Sequence, residues 1–376
     1  MFISVRLLLA GMNAHISCVM MSLPRTKMRI CVPLLPIPPV FNGAVMKRHQ
    51  QIGLSLVELM IAMALGLVLM GGVIQVFLSS RTVFSSQQAI SRVQESGRLA
   101  VDFISADARM AGYMGCLDRT LLPEVAITTP SDFWDNYQES IRGYKSSGLP
   151  AGLNLVPAPS ANTDVLVVRS ARGAMHYLAE PNAVNSLKVI AGSSNGITIK
   201  NDQAVVASNC VGARIFKVAT ANTNTGVITH TGGWGGGGSF SPTENFDAGA
   251  EVIPVLTTLY YIAENPFGRP ALYQKNGSVD AAVEIIEGVE NMALSFGRDS
   301  NADGVIDTYA NIDGIAATQW PTVGSVRIEL LVQSNEENVV EDVQSYSFRG
   351  EVVPGPDDKR LRQVFSSLVT IRGRVD

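Results

Sequence analysis

One uninterrupted apolar run, from Leu54 to Leu78, constrains this chain more than any other feature. Its sequence is LSLVELMIAMALGLVLMGGVIQVFL, and Glu58 is its only charged residue. As an α-helix, a run of this length at about 1.5 Å per residue extends roughly 37 Å, which is enough to cross a hydrocarbon core of about 30 Å. Nothing later in the sequence is comparable. We therefore predict one membrane-spanning segment, 54–78, followed by a soluble body.

The charge distribution predicts how this segment is oriented. Residues 1–53 contain six Lys or Arg and no Asp or Glu, which leaves 23 basic against 33 acidic residues after position 53, a net charge of −10. Basic residues that flank a membrane helix remain cytoplasmic, so we expect the acidic body to be exported. An acidic body also lacks the broad basic face used for nucleic-acid binding, and no nucleic-acid partner is expected.

Cysteine usage agrees with this topology. Cys18 and Cys31 precede the apolar run, whereas the body contains only Cys116 and Cys210. An even pair in an oxidising compartment predicts a disulfide between Cys116 and Cys210, and two unrelated buried thiols are the alternative. Closing the loop of about 95 residues between these two cysteines stabilises a fold by up to roughly 4.7 kcal/mol in the chain-entropy model.

The residues before the apolar run divide into two parts. Residues 1–45 hold only short apolar and Pro-rich stretches, whereas Met46 begins a compact basic leader, MKRHQQIG, that ends at Gly53. We interpret Met46 as the start of translation and 1–45 as a mis-annotated extension; an unstructured extension is the alternative. A signal peptide would have a shorter apolar core before its cleavage site, so this leader, 46–53, is of another kind.

The sequence from Gly53 to Ala62, GLSLVELMIA, resembles the prepilin motif of type IV pilins and type II secretion pseudopilins. In that family a prepilin peptidase cuts after the Gly and methylates the new N-terminus. The resemblance implies cleavage between Gly53 and Leu54, and it makes Glu58 the fifth mature residue, where the family keeps an acidic residue. Leu54 departs from the family, which usually has Phe at this position.

Glu58 also has a physical interpretation. A carboxylate within an apolar membrane helix costs about 2.5–3.5 kcal/mol on insertion scales, so a partner is expected. The resemblance implies that this partner is the free N-terminal amine of a neighbouring subunit, which would make Glu58 an assembly residue. The alternative is that Glu58 extends to the cytoplasmic interface from its place near the helix start.

The helix is predicted to continue beyond the membrane. Apolar or small residues recur at helical spacing from Ile90 to Ala111, while charged residues occupy mostly the other faces. We predict one helix over about 54–112, with 79–115 as its periplasmic half and Gly71-Gly72 as a possible bend.

After this helix the pattern changes to short β-rich segments separated by turn residues. We predict an α+β fold in which an antiparallel sheet in the head, 116–376, packs against the helix. Loops are expected at 141–162, 220–250 and 310–322. The predicted strands are Asp164–Ser170, Leu187–Ile190, Gly196–Lys200, Ala213–Ala219, Glu251–Val255, Thr257–Ala263, Ala271–Lys275, Met292–Gly297, Ser325–Gln333, Gln344–Val352 and Arg362–Arg372.

Several phrases resemble PilW-type minor pilins, among them ESGRLA at 95–100, RMAGYMGC at 109–116, VEIIEGVE at 283–290 and RLRQVF at 360–365. The resemblance implies a pilin-like fold and a non-enzymatic protein of type IV pilus assembly or initiation. It also implies a single-pass inner-membrane location with a periplasmic head, and either incorporation into the pilus or a position at its base or tip. The implied partners are other major and minor pilins, the prepilin peptidase, the inner-membrane assembly platform and membrane lipid. A minor pseudopilin of type II secretion and a pilus-tip adhesin or binding module are the alternatives.

One further pattern suggests a cation site. Asp299, Asn301, Asp303 and Asp307 have the spacing of a calcium loop, with Gly304 at the sixth position. The twelfth position is Ala310 and not Glu, and a hairpin loop closed by side-chain turns is the alternative.

The two histidines of the body, His176 and His230, have no Cys or carboxylate at ligand spacing, so no zinc site is predicted. Trp234, which lies among glycines, is interpreted as part of either an exposed contact loop or a flexible surface loop.

Overall fold

The structure, a computed structural model, describes residues 16–20, 29–33, 55–117, 121–127, 133–190, 197–235, 241–301 and 303–371. The predicted leader, with Gly53 and Leu54, lies outside the described residues. The chain divides into two compact units, residues 1–72 and 73–376. In the first unit, strands β1 (Ile16–Met20) and β2 (Arg29–Pro33) pair antiparallel.

Helix α1 extends over Leu56–Arg109 and contains residues of both units. The predicted bounds of about 54 and 112 are therefore confirmed to within a few residues. The helix continues through Gly71-Gly72. After α1 the chain turns at Gly112, whose φ of +75° lies in the left-handed region that disfavours a Cβ, and the Gly112 N–H donates to the carbonyl of Arg169 at 2.8 Å.

The predicted apolar stripe of α1 is largely correct. Val93, Gly97, Ile104 and Ala108 are buried, but Ile90 is 41% exposed and Ala89 is buried in its place. Residues with small side chains dominate the buried face, and this allows the sheet to approach the helix closely.

Among the described residues, the second unit contains seventeen strands. They are β3 Glu124–Val125, β4 Ile141–Lys145, β5 Asp164–Ala171, β6 His176–Tyr177, β7 Ser186–Lys188, β8 Ala204–Ser208, β9 Ala213–Ala221, β10 Val227–His230, β11 Glu251–Glu264, β12 Pro270–Asn276, β13 Val283–Glu287, β14 Val289–Arg298, β15 Thr308–Asn311, β16 Val323–Gln333, β17 Tyr346–Phe348, β18 Glu351–Val353 and β19 Arg362–Thr370. The short 3-10 helices are Ser146–Gly148, Ile312–Gly314 and Ala317–Thr322.

These strands form a large sheet, a smaller sheet and a hairpin. The large sheet has the order β13-β12-β11-β8-β9-β10-β7, with β4, β5 and β6 joined through β11 and β3 paired to β9. The smaller sheet has the order β15-β14-β16-β19, and β17 pairs with β18. Of the recorded strand pairs only β3–β9 is parallel. The predicted α+β class, with a long N-terminal helix and an antiparallel β-rich head, is confirmed.

Strand β11 was predicted as two strands and is one. Residues 251–254 pair with β8, and residues 255–260 pair with β5, so Leu256 continues the ladder between them. The strand thus changes partner along its length. Pro254, which has no N–H to donate, lies at this change of partner.

Other predicted boundaries are also corrected. Described residues 197–200 form no strand, although Ile197 and Ile199 are buried in the core. The segments predicted as loops at 141–162 and 220–250 contain β4 and β10. The predicted strand 344–352 is a hairpin, because Arg349 and Gly350 both adopt positive φ, +58° and +79°, and reverse the chain.

The main core lies between the C-terminal half of α1, the inner face of the smaller sheet and part of the large sheet. It includes Ile104 of the helix, Phe296 and Ile328 of the smaller sheet, and Leu166 and Leu272 of the large sheet. A second cluster lies between β7–β10 and the segments that follow them, around Phe216, Trp234 and Phe246.

Candidate assembly site

The N-terminal part of α1 presents an apolar surface on all sides. An 18-residue window of this helix has a mean hydropathy of 2.3, and none of it is buried. Large side chains such as Leu67, Val68 and Leu69 are at least 70% exposed. A continuous apolar surface of this size is stable in lipid or against other apolar helices and not in water. By length and composition the helix can span a membrane.

Glu58 lies in the first turn of this helix. Its backbone N–H donates to the Ser55 hydroxyl at 3.2 Å, and its carboxylate accepts the Ser55 backbone N–H at 3.3 Å. These two reciprocal bonds form a capping box, which begins the helix and satisfies two otherwise unpaired donors. This capping box was not predicted, although the Ser-x-x-Glu spacing was a sufficient signal. Glu58 therefore has a local role in addition to the predicted assembly role.

The C-terminal half of α1 is joined to the large sheet by a polar network around Asp107. The Asp107 carboxylate accepts from Arg172 Nη1 and from the Tyr260 hydroxyl, both at 2.6 Å, and the same hydroxyl accepts from Gln274 Nε2 at 2.7 Å. Burial, together with the nearby carboxylate, raises the pKa of Tyr260, so the phenol remains a donor. This network was not predicted, because its members are distant in sequence.

Close contact also holds the helix on the smaller sheet. Gly97 faces the ring of Phe365 on β19, and a Cβ at position 97 would overlap that ring. Nearer the apolar N-terminal part of α1, the Ser86 hydroxyl donates to the carbonyl of Val339 at 2.9 Å, and Arg92 pairs with Glu336 at 2.9 Å. The Arg92–Glu336 pair is half-exposed and contributes little to the stability of the fold.

The predicted disulfide between Cys116 and Cys210 is present, with Cα atoms 4.4 Å apart. It links the segment directly after α1 to the turn between β8 and β9. The Cys116 N–H also donates to the Glu251 carboxylate at 2.8 Å. Two independent contacts thus fix the start of the head.

The predicted calcium residues lie in one loop between β14 and β15. The Asp299 carboxylate accepts the N–H groups of Asp303 and Gly304, at 3.2 and 2.9 Å, and the Asp307 carboxylate accepts both the N–H and the hydroxyl of Ser300 at 2.7 Å. The bonds from Ser300 lower the pKa of Asp307.

Asn301 and Asp303 make similar turns within the same loop. Within the described part of the chain, no group of three or more His, Cys, Asp or Glu side chains converges as metal ligands. Calcium binding stays a prediction; calorimetry on the full chain, with Asp303→Asn as the variant that removes the heat, tests it.

The interpretation of Trp234 as part of an exposed or flexible loop is wrong. Its side chain is only 3% exposed, and it stacks on His230 with ring centroids 3.8 Å apart. The Arg214 guanidinium lies 5.1 Å from the Trp234 ring. Packing against the aromatic core around Phe216 buries the Trp234 side chain, although its segment is rich in glycine. Local composition does not reveal this burial, because the contacting residues are distant in sequence.

These features define the class of protein. An apolar helix with a lone carboxylate in its first turn, followed by a helix-packed antiparallel β-rich head, is the architecture of a pilin-like protein. Residues 48–74 match the family model described as the prokaryotic N-terminal methylation motif, and residues 259–373 match that of Type IV Pilus-assembly protein W, PilW. The chain therefore has two matched segments, 48–74 and 259–373, in common with PilW-type, prepilin-like proteins.

Among solved structures, a type IV-like pilin from Thermus thermophilus matches with 14% sequence identity and a TM-score of 0.20. The match covers 47% of this chain and 87% of that chain. No curated protein matches the chain.

The two family matches cover different parts of the structure. The first contains most of the predicted leader and the beginning of α1, and the second extends from within β11 to the end of β19. Residues 75–258, which include β7–β10 and the aromatic core around Trp234, lie outside both matches.

Proposed function

We propose that this chain is a minor pilin that enters type IV pilus assembly, or its initiation, after a prepilin peptidase cuts between Gly53 and Leu54. It is anchored in the inner membrane by the first half of α1, with its head in the periplasm. Its partners are other major and minor pilins, the peptidase, the assembly platform and membrane lipid. Its role is structural and not catalytic.

The observation that carries this proposal is the isolation of Glu58. Within the described residues its carboxylate bonds only to the backbone of Ser55, and the surrounding helix surface is apolar and exposed. One neutral N–H does not balance a full negative charge in lipid, so a cationic partner from outside the chain stabilises it. Cleavage after Gly53 creates such cations, the N-terminal amines of neighbouring subunits.

The first experiment is mass spectrometry of the N-terminal peptide of the mature protein. The proposal expects the peptide to begin at Leu54, with a methylated amine, and expects Gly53→Ala to retain the leader. A mature protein that keeps its leader, or one cut after residue 78, contradicts the proposal.

A matched pair of variants separates assembly from helix capping. Glu58→Gln removes the charge but keeps an N3 side chain that can complete a capping box, whereas Ser55→Ala removes the cap and keeps the charge. We expect Glu58→Gln to be processed but absent from sheared pili, and Ser55→Ala to be incorporated. The reverse result would assign Glu58 a capping role alone.

Deletion of the gene distinguishes the proposal from its alternatives. Loss of surface pili and of twitching supports a minor pilin, whereas loss of protein secretion with normal pili supports a pseudopilin of type II secretion. Normal pili that no longer adhere support a tip-located binding module.

A further inference from the structure

A polar cleft lies on the face of the smaller sheet that points away from the core, and the proposed function does not use it. The cleft has a volume of about 220 Å³. Leu294, Phe296 and Ile328 point into the core, so the alternation of side chains along β14 and β16 puts Ser295 and Arg327 on the opposite face.

Three polar side chains form a row across this face. Ser295 of β14 is in register with Asn311 of β15 on one side and with Arg327 of β16 on the other. Arg327 is exposed, and among the described residues it makes no hydrogen bond or ion pair. Its guanidinium lies 5.6 Å from the centroid of the Tyr309 ring, which orients it. The guanidinium N–H groups of Arg327 in this row therefore have no acceptor among the described residues.

Two more cations line the cleft, and a buried carboxylate positions them. Asp164, with a side chain only 1% exposed, accepts from Lys145 Nζ at 2.9 Å and from Arg349 Nη2 at 3.3 Å. Its other oxygen accepts the Leu294 N–H at 2.8 Å. Asp164 thus fixes both cations at the wall of the cleft. Arg349 Nη2 also donates to the carbonyls of Asn162 and Met292, and Lys145 Nζ also lies 4.0 Å from the Asp313 carboxylate.

The charges define what the cleft can accept. Lys145, Arg327 and Arg349 contribute three positive charges to the lining, and Asp164 and Glu329 contribute two negative ones. Asp313, whose carboxylate lies 4.0 Å from Lys145 Nζ, balances the third positive charge at the rim. Among the described residues Arg327 is the cation of this set that has no carboxylate partner, so it can pair with one monoanion, whereas Glu329 would repel the second charge of a dianion. Arginine binds the two oxygens of a carboxylate in parallel. Hydroxyl, amide and charged groups line most of the cleft, and Ala293 and Leu294 contribute a smaller apolar part.

We propose that this cleft binds the carboxylate of an acidic sugar, with Arg327 as the main ligand-binding residue and Lys145, Ser295 and Asn311 around it. The volume fits a group of about the size of one sugar residue, and the polar lining suits its hydroxyls. This inference does not rest on the role of the chain in pilus assembly.

The test is calorimetry on the full chain in detergent, with an oligosaccharide of glucuronic acid as the probe and an uncharged glucose oligomer of the same length as the comparison. We expect binding of the acidic probe only. Arg327→Gln should weaken it by about tenfold or more, since a hydrogen bond to a charged group contributes about 1.5–3 kcal/mol. Arg98→Gln, at an exposed helix arginine outside the cleft, should leave binding unchanged.

Circular dichroism on both variants confirms that the fold is intact, as expected for exposed positions. Absence of glucuronate binding, equal binding of the uncharged oligomer, or equal loss in the two variants would overturn the proposal. A glutamate-rich peptide that binds as tightly as the sugar would overturn the choice of ligand class.

Discussion

His230 is a residue whose burial makes the head sensitive to acid. Its ring is stacked on Trp234 and meets Phe216 edge-on, at a centroid distance of 5.4 Å. Burial lowers the pKa of His230, and the nearby Arg214 guanidinium acts in the same direction. Arg214 is itself paired with Glu124 and Glu244, at 3.2 and 3.1 Å, so its charge is partly balanced.

The consequence is a stability that decreases as the pH falls. Unfolding releases His230 to its ordinary pKa of about 6.5, so the unfolded state binds more protons than the folded state below that pH. We expect the free energy of unfolding to decrease as the pH is lowered from about 6.5 towards 5, and we expect a smaller decrease in the His230→Phe variant. Denaturant titrations of both proteins at several pH values measure the free energy of unfolding.

His176 provides the matched control. It is partly exposed, and its ring hydrogen-bonds with Thr198 at 3.1 Å. Burial lowers its pKa as well, but the ring is not enclosed in the aromatic core. His176→Gln should therefore change the pH dependence less than His230→Phe, and an equal effect of both variants would contradict the assignment.

At the scale of elements, α1 is held by different contacts along its length. Its first part has an exposed apolar surface, whereas its C-terminal half is buried along a stripe of small side chains. The Asp107 network and the Gly97–Phe365 contact connect this half to the two sheets. Because Gly97 lets the helix approach the Phe365 ring of β19 closely, side-chain volume at position 97 controls how they pack.

Gly97→Val should destabilise the head by about 1–3 kcal/mol, because the added side chain overlaps Phe365 and forces a backbone or ring shift. Ala106→Val, at an exposed position of the same helix, should cost only the small difference in helix propensity. Thermal unfolding of the full chain in detergent measures both. A double variant with Phe365→Ala should recover part of the loss, and strict additivity would contradict the proposed contact.

At the scale of the whole molecule, the disulfide closes a loop of sequence separation 94 that contains β3–β8. Replacing both cysteines by serine should lower the free energy of unfolding by about 2–5 kcal/mol. Reductant should have the same effect on the unmodified chain and none on the variant. A change below about 0.5 kcal/mol would mean that the Glu251 contact and the core suffice to hold this segment.

Elements whose physical signal is local were predicted correctly. The apolar helix, its continuation and the strands β5 and β9 were predicted because hydrophobic periodicity and length are properties of neighbouring residues. Boundaries were wrong where a strand changes partner, as at Leu256, or where two residues reverse the chain, as at Arg349 and Gly350. The capping box at Ser55 was visible in the sequence but was not used.

What the sequence by itself determined is the architecture: one long helix whose apolar first part carries a single acid, and an antiparallel β-rich head with a disulfide. These follow from composition and from the order of the segments along the chain. Only the tertiary structure decided that Trp234 is core, that Asp107 joins helix to sheet, and that Arg327 stands in a polar cleft. Each of these depends on which distant segments meet, and the free energy of burying or pairing a side chain is set by those partners and not by its neighbours in the chain.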